Sequence, residues 1–330
     1  MLLGVSILNI VLVKETLMNK ISNFKLIFKC KAGSHLYGTN TPLSDVDYRG
    51  VFIPDERYFY GCLLSIEQLE DKKNDETYFE IRKFMRLALD NNPNIIELLF
   101  VPQNMWEVAT DEWRLIHSNR KLFLSKKAKY TFLGYAHSQF KRIKIHRNWL
   151  LHPPVKKPEP EDYGLVLKTI MSDDDLGAYE ALKDQVSLVE DLMRIVTKNK
   201  AYKNAQREWD NYQNWKTNRN PERAKLEEKF GYDTKHASHL IRLISEGEEL
   251  LLNGTITFPR PDADYLLRIR AGELTYDQLY REMEIYEEKF EQYYKVSPLP
   301  HKAEVNKIDE LCIKINKEYL KKGERNGESS

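Results

Sequence analysis

The chain reads as an α+β protein: a small α/β domain followed by a longer, mostly helical half. Three observations lead there. An alternating apolar segment at 24–31 runs straight into Gly33-Ser34, as a half-buried strand entering a turn does. Short extended segments and turn residues continue to about residue 105. From Trp106 onward strand signals fade, and long charged stretches with helical spacing take over. The expected organisation is a first domain over 19–105 and a helical domain over 106–300 with a charged insertion at about 152–230. A polar, partly disordered tail over 301–330 completes it.

The elements follow in order. MLLGVSILNIVLV, at the start, is too short for a bilayer span of about 20 residues. It lacks the basic flank and cleavage site of a secretory signal. Met18 reads as the natural start of the folded part, with residues 1–17 an extension or a loosely packed segment. In the first strand, Phe24, Leu26, Phe28 and Cys30 are expected on one face, with Lys25, Lys29, Lys31 and Ile27 on the other. Residues 34–43 are a short helical turn and loop, and a second strand takes Asp45 to Ile53, stopped by Pro54. A third extended run, Asp75 to Phe79, leads into a helix at 81–90 whose stripe is Ile81, Phe84, Met85, Ala88 and Leu89. Asn91-Asn92-Pro93 ends it, and a buried element follows. Residues 118–149 read as helix, 152–164 as a Pro-rich linker, 175–230 as charged helix, and 234–252 as a helix closed by Asn253-Gly254. The final GERNGESS is expected to be disordered.

At 330 residues the chain can bury a substantial core. Its 51 Lys and Arg against 50 Asp and Glu exclude a globally basic nucleic-acid binder, so any such surface is local. Three scattered cysteines, Cys30, Cys62 and Cys312, suit reduced thiols in a cytoplasmic protein and not a disulfide framework or a zinc site. No membrane association is expected.

The chemistry concentrates in GSHLYGTNTPLSDVDYRGVFI, residues 33–53. Asp45 and Asp47 are two residues apart, so on an extended segment both carboxylates point to one face. Held together, they repel unless a cation lies between them, and a hard divalent ion with oxygen ligands is the natural partner. Magnesium commonly arrives with nucleotide phosphates. Gly33 allows close backbone approach, and its neighbourhood with the Ser34 hydroxyl can cradle a phosphate. An Asp-x-Asp alone is far more often a solvated turn; here the Gly-Ser, the Ser-Asp-x-Asp-x-Arg-Gly run and the apolar VFIP occur together.

That combination resembles the DNA polymerase β-type nucleotidyltransferase superfamily, with its Gly-Ser followed by a paired-aspartate strand. The segments 81–100, 123–143 and 235–254 are similar to a bacterial and phage branch of predicted nucleotidyltransferases, while 152–230 resembles nothing familiar. The resemblance implies a mixed sheet with flanking helices and two-metal chemistry with Mg2+ or Mn2+. It also implies a triad of Asp45, Asp47 and a third carboxylate from a neighbouring strand. Asp75 is the preferred third ligand, with Glu76 and Glu80 as alternatives, since neighbours on a strand face opposite ways. Ser44 precedes the aspartates as a phosphate contact, and Arg49, on their face of the strand, is a partner for a carboxylate or for the triphosphate. Lys83 starts the next helix as another candidate, Arg82 beside it being better read as solvated. His236, His239 and Arg242 recur every three residues as one polar stripe for phosphate or nucleobase; a zinc role for two histidines at that spacing lacks further ligands.

The function expected is transfer of an NMP from a Mg-NTP to an acceptor hydroxyl, with an RNA 3′ end as preferred acceptor. Nucleotidylation of a protein or small molecule, and a non-catalytic nucleotide or RNA sensor, are the alternatives.

Overall fold

The computed structural model describes residues 24–327 apart from 43, 72–73 and 183–189. The expectation for residues 1–17 therefore lies outside the described residues, as does that for 328–330.

Strand β1 (Lys25–Ala32) leads into the five-residue helix α1 (Gly33–Tyr37), and β2 (Asp47–Ile53) returns antiparallel to β1. Strands β3 (Gln68–Asp71) and β4 (Glu76–Glu80) form an antiparallel pair, and β4 lies parallel to β2. Strand β5 (Trp106–Ala109) pairs antiparallel with the other edge of β1, giving the order β3-β4-β2-β1-β5. The sheet is mixed, as expected. Two of its strands are new. β3 and β5 have only four residues each, too few for a visible alternation. β5 also carries the sheet past residue 106, where strand signals fade in the sequence.

A bulge in β1 resets its faces. Leu26 pairs with Phe52, yet Phe28 pairs with Val51, so Ile27 is the extra residue. Phe24 and Leu26 consequently pack with Phe52, Leu69 and Tyr78 on one side of the sheet. Phe28 turns to the other side and stacks on Trp113 at 3.7 Å. The expected single face for Phe24, Leu26, Phe28 and Cys30 is thus split, and Ile27, placed among the lysines by strict alternation, is fully buried. Helices α2 (Ile81–Leu89) and α3 (Asp111–Ser118) cover the second side, with Phe84 against Trp113 at 5.6 Å. Glu80 caps α2 by accepting from the Lys83 N–H at 3.1 Å.

The described residues form two compact units: one of residues up to 141 together with those from 235 on, the other of residues 142–234. The chain passes between them within helix α4 (Ala128–Leu151) and at the start of α8 (Thr234–Asn253). The 142–234 unit holds the remainder of α4, then α5 (Asp173–Leu182), α6 (Glu190–Asn218) and α7 (Pro221–Phe230). Its core is aromatic: Trp149 lies 5.5 Å from Trp215 and 6.0 Å from Tyr212. Buried Asp233 is gripped by Arg223, and His146 stands 3.9 Å from the same carboxylate, an imidazole and a carboxylate of the kind a metal takes.

The unit that contains the sheet is completed by α8, α9 (Ala263–Arg270), α10 (Tyr276–Val296) and α11 (Val305–Gly327). Helix α11 occupies the stretch expected to be a polar tail. Ile308, Leu311 and Ile315, at spacings of three and four, are buried within its Lys/Glu-rich sequence. Its first turn is tied back by the Glu304 N–H, which donates to the Leu122 carbonyl at 3.0 Å.

Candidate active site

The strand-end geometry follows from the β1–α1–β2 connection. Ala32, the last residue of β1, pairs with Asp47, the first of β2, so Gly33 begins α1 directly beside the Asp47 carboxylate. Gly33 has φ +58°, and a Cβ built on it would lie 1.8 Å from Asp47 Oδ2. Glycine is required twice over here, for the left-handed backbone and for the space that the carboxylate fills. Ser34 follows, half-buried, and its carbonyl accepts from the Thr39 N–H at 2.9 Å, closing α1.

Asp75 reaches the same place from the β3–β4 turn. It precedes β4 with φ +49°, a conformation Asp tolerates better than most residues. Its carbonyl accepts from the Tyr48 N–H at 3.1 Å, which fixes the turn against β2. The carboxyl groups of Asp47 and Asp75 share a hydrogen bond. Burial pushes Asp47 up to about 6, assisted by that bond and by the Asp75 charge. The same bond holds Asp75 below its ordinary value, with Arg49 acting in the same direction. Below about pH 6 the pair therefore holds a proton on Asp47, which donates to Asp75.

Arg49 locks this arrangement. Its guanidinium donates to the Tyr48 and Asp75 carbonyls, both at 2.8 Å, and to Asp75 Oδ1 at 3.3 Å. The sheet register separates Asp75 from its two competitors. Tyr48 pairs with Glu76 in the parallel β2–β4 ladder, so Glu76 shares the face of Tyr48, opposite to that of Asp47 and Arg49. There it lies 3.6 Å from Lys29 and accepts from the Tyr78 hydroxyl. Glu80 is on that face too, buried and engaged in capping α2 and in a 2.7 Å bond from Arg82.

The other sequence candidates are distributed. Asp45 is exposed on the extended approach to β2, outside the strand in which it was expected. Ser44 closes the turn before it, its Oγ accepting from the Thr41 N–H at 2.8 Å. Lys83 pairs with Glu67 at 3.4 Å. His236 and His239 are half-buried in the first turns of α8. Arg242 is interior: it bonds Glu97 and, at 2.8 Å, Glu246, and lies 3.9 Å above the Tyr37 ring. Glu97 also accepts from the Tyr37 hydroxyl at 2.7 Å. The stripe reading fails for Arg242 because three residues advance a helix by about 300°, so each step drifts by about 60° and Arg242 stands about 120° from His236. Arg242 clamps α8 to the end of α1, a structural task visible only once Glu97, 145 positions away, is in place.

One residue near the aspartates escaped the sequence reading. Lys235 lies within electrostatic reach of both Asp47 and Asp75 and favours their ionised forms. Among the described residues, no helix is long and apolar enough to cross a membrane.

Residues 12–156 match the family described as RlaP, RNA repair pathway DNA polymerase beta family. The chain thus carries a DNA polymerase β-type nucleotidyltransferase match over its sheet-bearing part. Among curated proteins, it is 30% identical over 127 residues to an uncharacterized 38.9 kDa protein of the nrdC–mobD intergenic region of Enterobacteria phage T4. That alignment covers 35% of this chain and 38% of the phage protein. It is 21% identical over 172 residues to the uncharacterized protein YcgL of Bacillus subtilis strain 168, covering 47% of this chain and 66% of YcgL. The chain spans less than two thirds of either relative. No solved structure matches it significantly.

Proposed function

We propose that the chain is a nucleotidyltransferase that moves an NMP from a Mg-NTP to an acceptor hydroxyl, with an RNA 3′ end as the acceptor. The observation that carries this reading is the Asp47–Asp75 carboxyl pair, held at the end of β2 by Gly33 and Arg49. Two carboxyl groups that share a proton form a donor set that a divalent cation fits, since the cation replaces the proton and satisfies both charges. Asp45, exposed two residues earlier on the approach to β2, supplies the third oxygen ligand. Bound there, Mg2+ or Mn2+ would lower the pKa of the acceptor hydroxyl and stabilise charge on the phosphate oxygens.

In the reaction, the acceptor oxygen forms a bond to the α-phosphorus while the bond from that phosphorus to the bridging oxygen breaks. The electron pair leaves with pyrophosphate, and the acceptor proton passes to water. Within the protein, Gly33 leaves room for the Asp47 carboxylate and Arg49 holds Asp75 in place. The family description, an RNA repair pathway, supports RNA as acceptor. Ser34, at the start of α1, remains the candidate phosphate contact. Arg242, Lys83 and Ser44, engaged elsewhere, are assigned no contact with nucleotide. His236 and His239 remain base or phosphate candidates from α8.

The test supplies the purified protein with Mg2+, each α-labelled NTP, and one RNA ending either in a free 3′ hydroxyl or in a blocked 3′ end. Label joined only to the free-ended RNA is the expected result. Equal labelling of both RNAs, or labelling of protein alone, would move the acceptor to another class. Nucleotide binding without any transfer would favour a sensor.

A further inference from the structure

Helix α4 opens on an inverted pair. Lys129 is buried and its neighbour Tyr130 is 60% exposed, the reverse of the usual partition between a charged and an aromatic side chain. The Lys129 ammonium lies 4.9 Å from the centre of the Tyr130 ring and 5.1 Å from that of Tyr294, in α10, and it pairs with Glu291. The two rings meet edge to face at 5.9 Å, and His301 stands 6.1 Å from Tyr294. The backbone around them is tied down. The Lys126 N–H donates to the Pro300 carbonyl at 2.8 Å, and the Thr131 hydroxyl donates to the Asn91 carbonyl at 2.7 Å. The rings are therefore held in place from both chain segments, with Tyr130 turned to solvent.

An exposed ring alone says little; here cations accompany it. Lys126 lies 5.4 Å from the centre of the Tyr294 ring and, among the described residues, makes no ion pair. Lys302, next to His301, is exposed and likewise makes none. The chain as a whole balances its charges, 51 basic to 50 acidic residues, so attraction for phosphates has to come from a local group of this kind. A flat ring takes a base of any sequence by stacking, and a flexible ammonium takes the phosphate beside it. A duplex keeps its bases stacked on one another and leaves the ring no face to meet. We propose that Tyr130, His301 and the ammonium of Lys126 bind single-stranded RNA, with a base stacked on Tyr130 and a phosphate at Lys126. This rests on the reading of RNA as the acceptor, and it assigns the strand a surface built from residues other than the carboxylate pair.

The test follows the fluorescence anisotropy of a labelled single-stranded RNA of about 12 nucleotides, without Mg2+ or nucleotide. The full chain is compared as wild type, Tyr130→Ala, Tyr130→Phe and Lys126→Ala. One stacked base is worth roughly tenfold in affinity. Tyr130→Ala is expected to lose about that factor and Tyr130→Phe to keep wild-type affinity, because the ring and not the hydroxyl carries the stacking. Lys126→Ala should flatten the slope of log affinity against log salt by about 0.7, the share of one phosphate contact on a single strand. The duplex of the same sequence should bind at least about tenfold more weakly than the strand. Unchanged binding in Tyr130→Ala, or a duplex bound as tightly as the strand, would overturn this surface and leave transfer to a free-ended RNA standing. Strand binding through Tyr130 without any nucleotide transfer would uphold the surface and overturn the transferase reading. A wild type that binds no RNA would overturn both the surface and RNA as the acceptor. The Tyr130 side chain is exposed, so its loss leaves the fold in place, and a thermal melt of each variant verifies this.

Discussion

Asp47 Oδ2 occupies the place where a side chain on residue 33 would begin, 1.8 Å from a Cβ built on Gly33. The glycine at the head of α1 and the aspartate at the head of β2 are thus one device: the first exists in that form so that the second can face the site. Sequence reading assigns Gly33 to close approach of a ligand; the structure assigns the space to the protein's own carboxylate.

Replacing Gly33 with Ala tests this directly. The left-handed backbone alone costs an alanine about 1–2 kcal/mol, which a folded domain tolerates. The methyl group also displaces the carboxylate, and a misplacement of about 1 Å costs on the order of 100-fold in rate. Gly33→Ala is expected to fold, by circular dichroism, and to lose nucleotide transfer by about that factor. Wild-type transfer in the folded variant would mean that the carboxylate can stand elsewhere.

The acid pair predicts a pH dependence of known sign. Asp47, pushed up to about 6 from its ordinary 3.8 by burial and by Asp75, contributes stability fully present below 3.8 and lost as pH rises through about 6. Asp75 is shifted the other way, and its own titration lies below that window. In metal-free protein, the melting temperature of wild type should therefore fall between pH 5 and 7 relative to Asp47→Asn. Mg2+ should oppose the fall, because it competes with the proton. A wild-type and Asp47→Asn difference that stays constant over this range would contradict the coupling.

The Arg242–Glu97 contact predicts a stability effect distinct from catalysis. Both side chains are buried, and although Glu246 still pairs with Arg242, removing Glu97 takes away the second carboxylate and leaves the Tyr37 hydroxyl without its acceptor. Glu97→Ala should destabilise the protein by about 1–3 kcal/mol, read from urea unfolding, whereas an exposed partner would cost under about 1 kcal/mol. Loss of nucleotide affinity with unchanged stability would instead place Arg242 in binding.

Much of the candidate site's geometry was legible because its signals are local. Gly33, Asp47, Arg49 and the strand they border fall within one short segment, and strand alternation alone put Asp47 and Arg49 on one face. Asp75 was separable from Glu76 and Glu80 only through the register of β2 against β4, a long-range fact. Ile27 was misplaced because a bulge adds one residue to a period of two. Helix α11 was hidden because Ile308, Leu311 and Ile315 form a narrow stripe inside charged sequence. Arg242 was misplaced and Lys235 passed over for the same reason: neither a buried carboxylate partner nor a neighbouring acid pair is encoded near them in the chain.

We propose that Asp47 and Asp75, and not Glu76 or Glu80, form the metal-binding carboxylate set. Transfer from an α-labelled NTP at fixed Mg2+, compared across wild type, Asp47→Asn, Asp75→Asn, Glu76→Gln and Glu80→Gln, tests it most directly. Asp47→Asn and Asp75→Asn should each lose at least about 100-fold, while Glu76→Gln and Glu80→Gln stay within about threefold, since their side chains lie on the opposite face of the sheet. A fully active Asp75→Asn protein, or an inactive but folded Glu76→Gln protein, would contradict it.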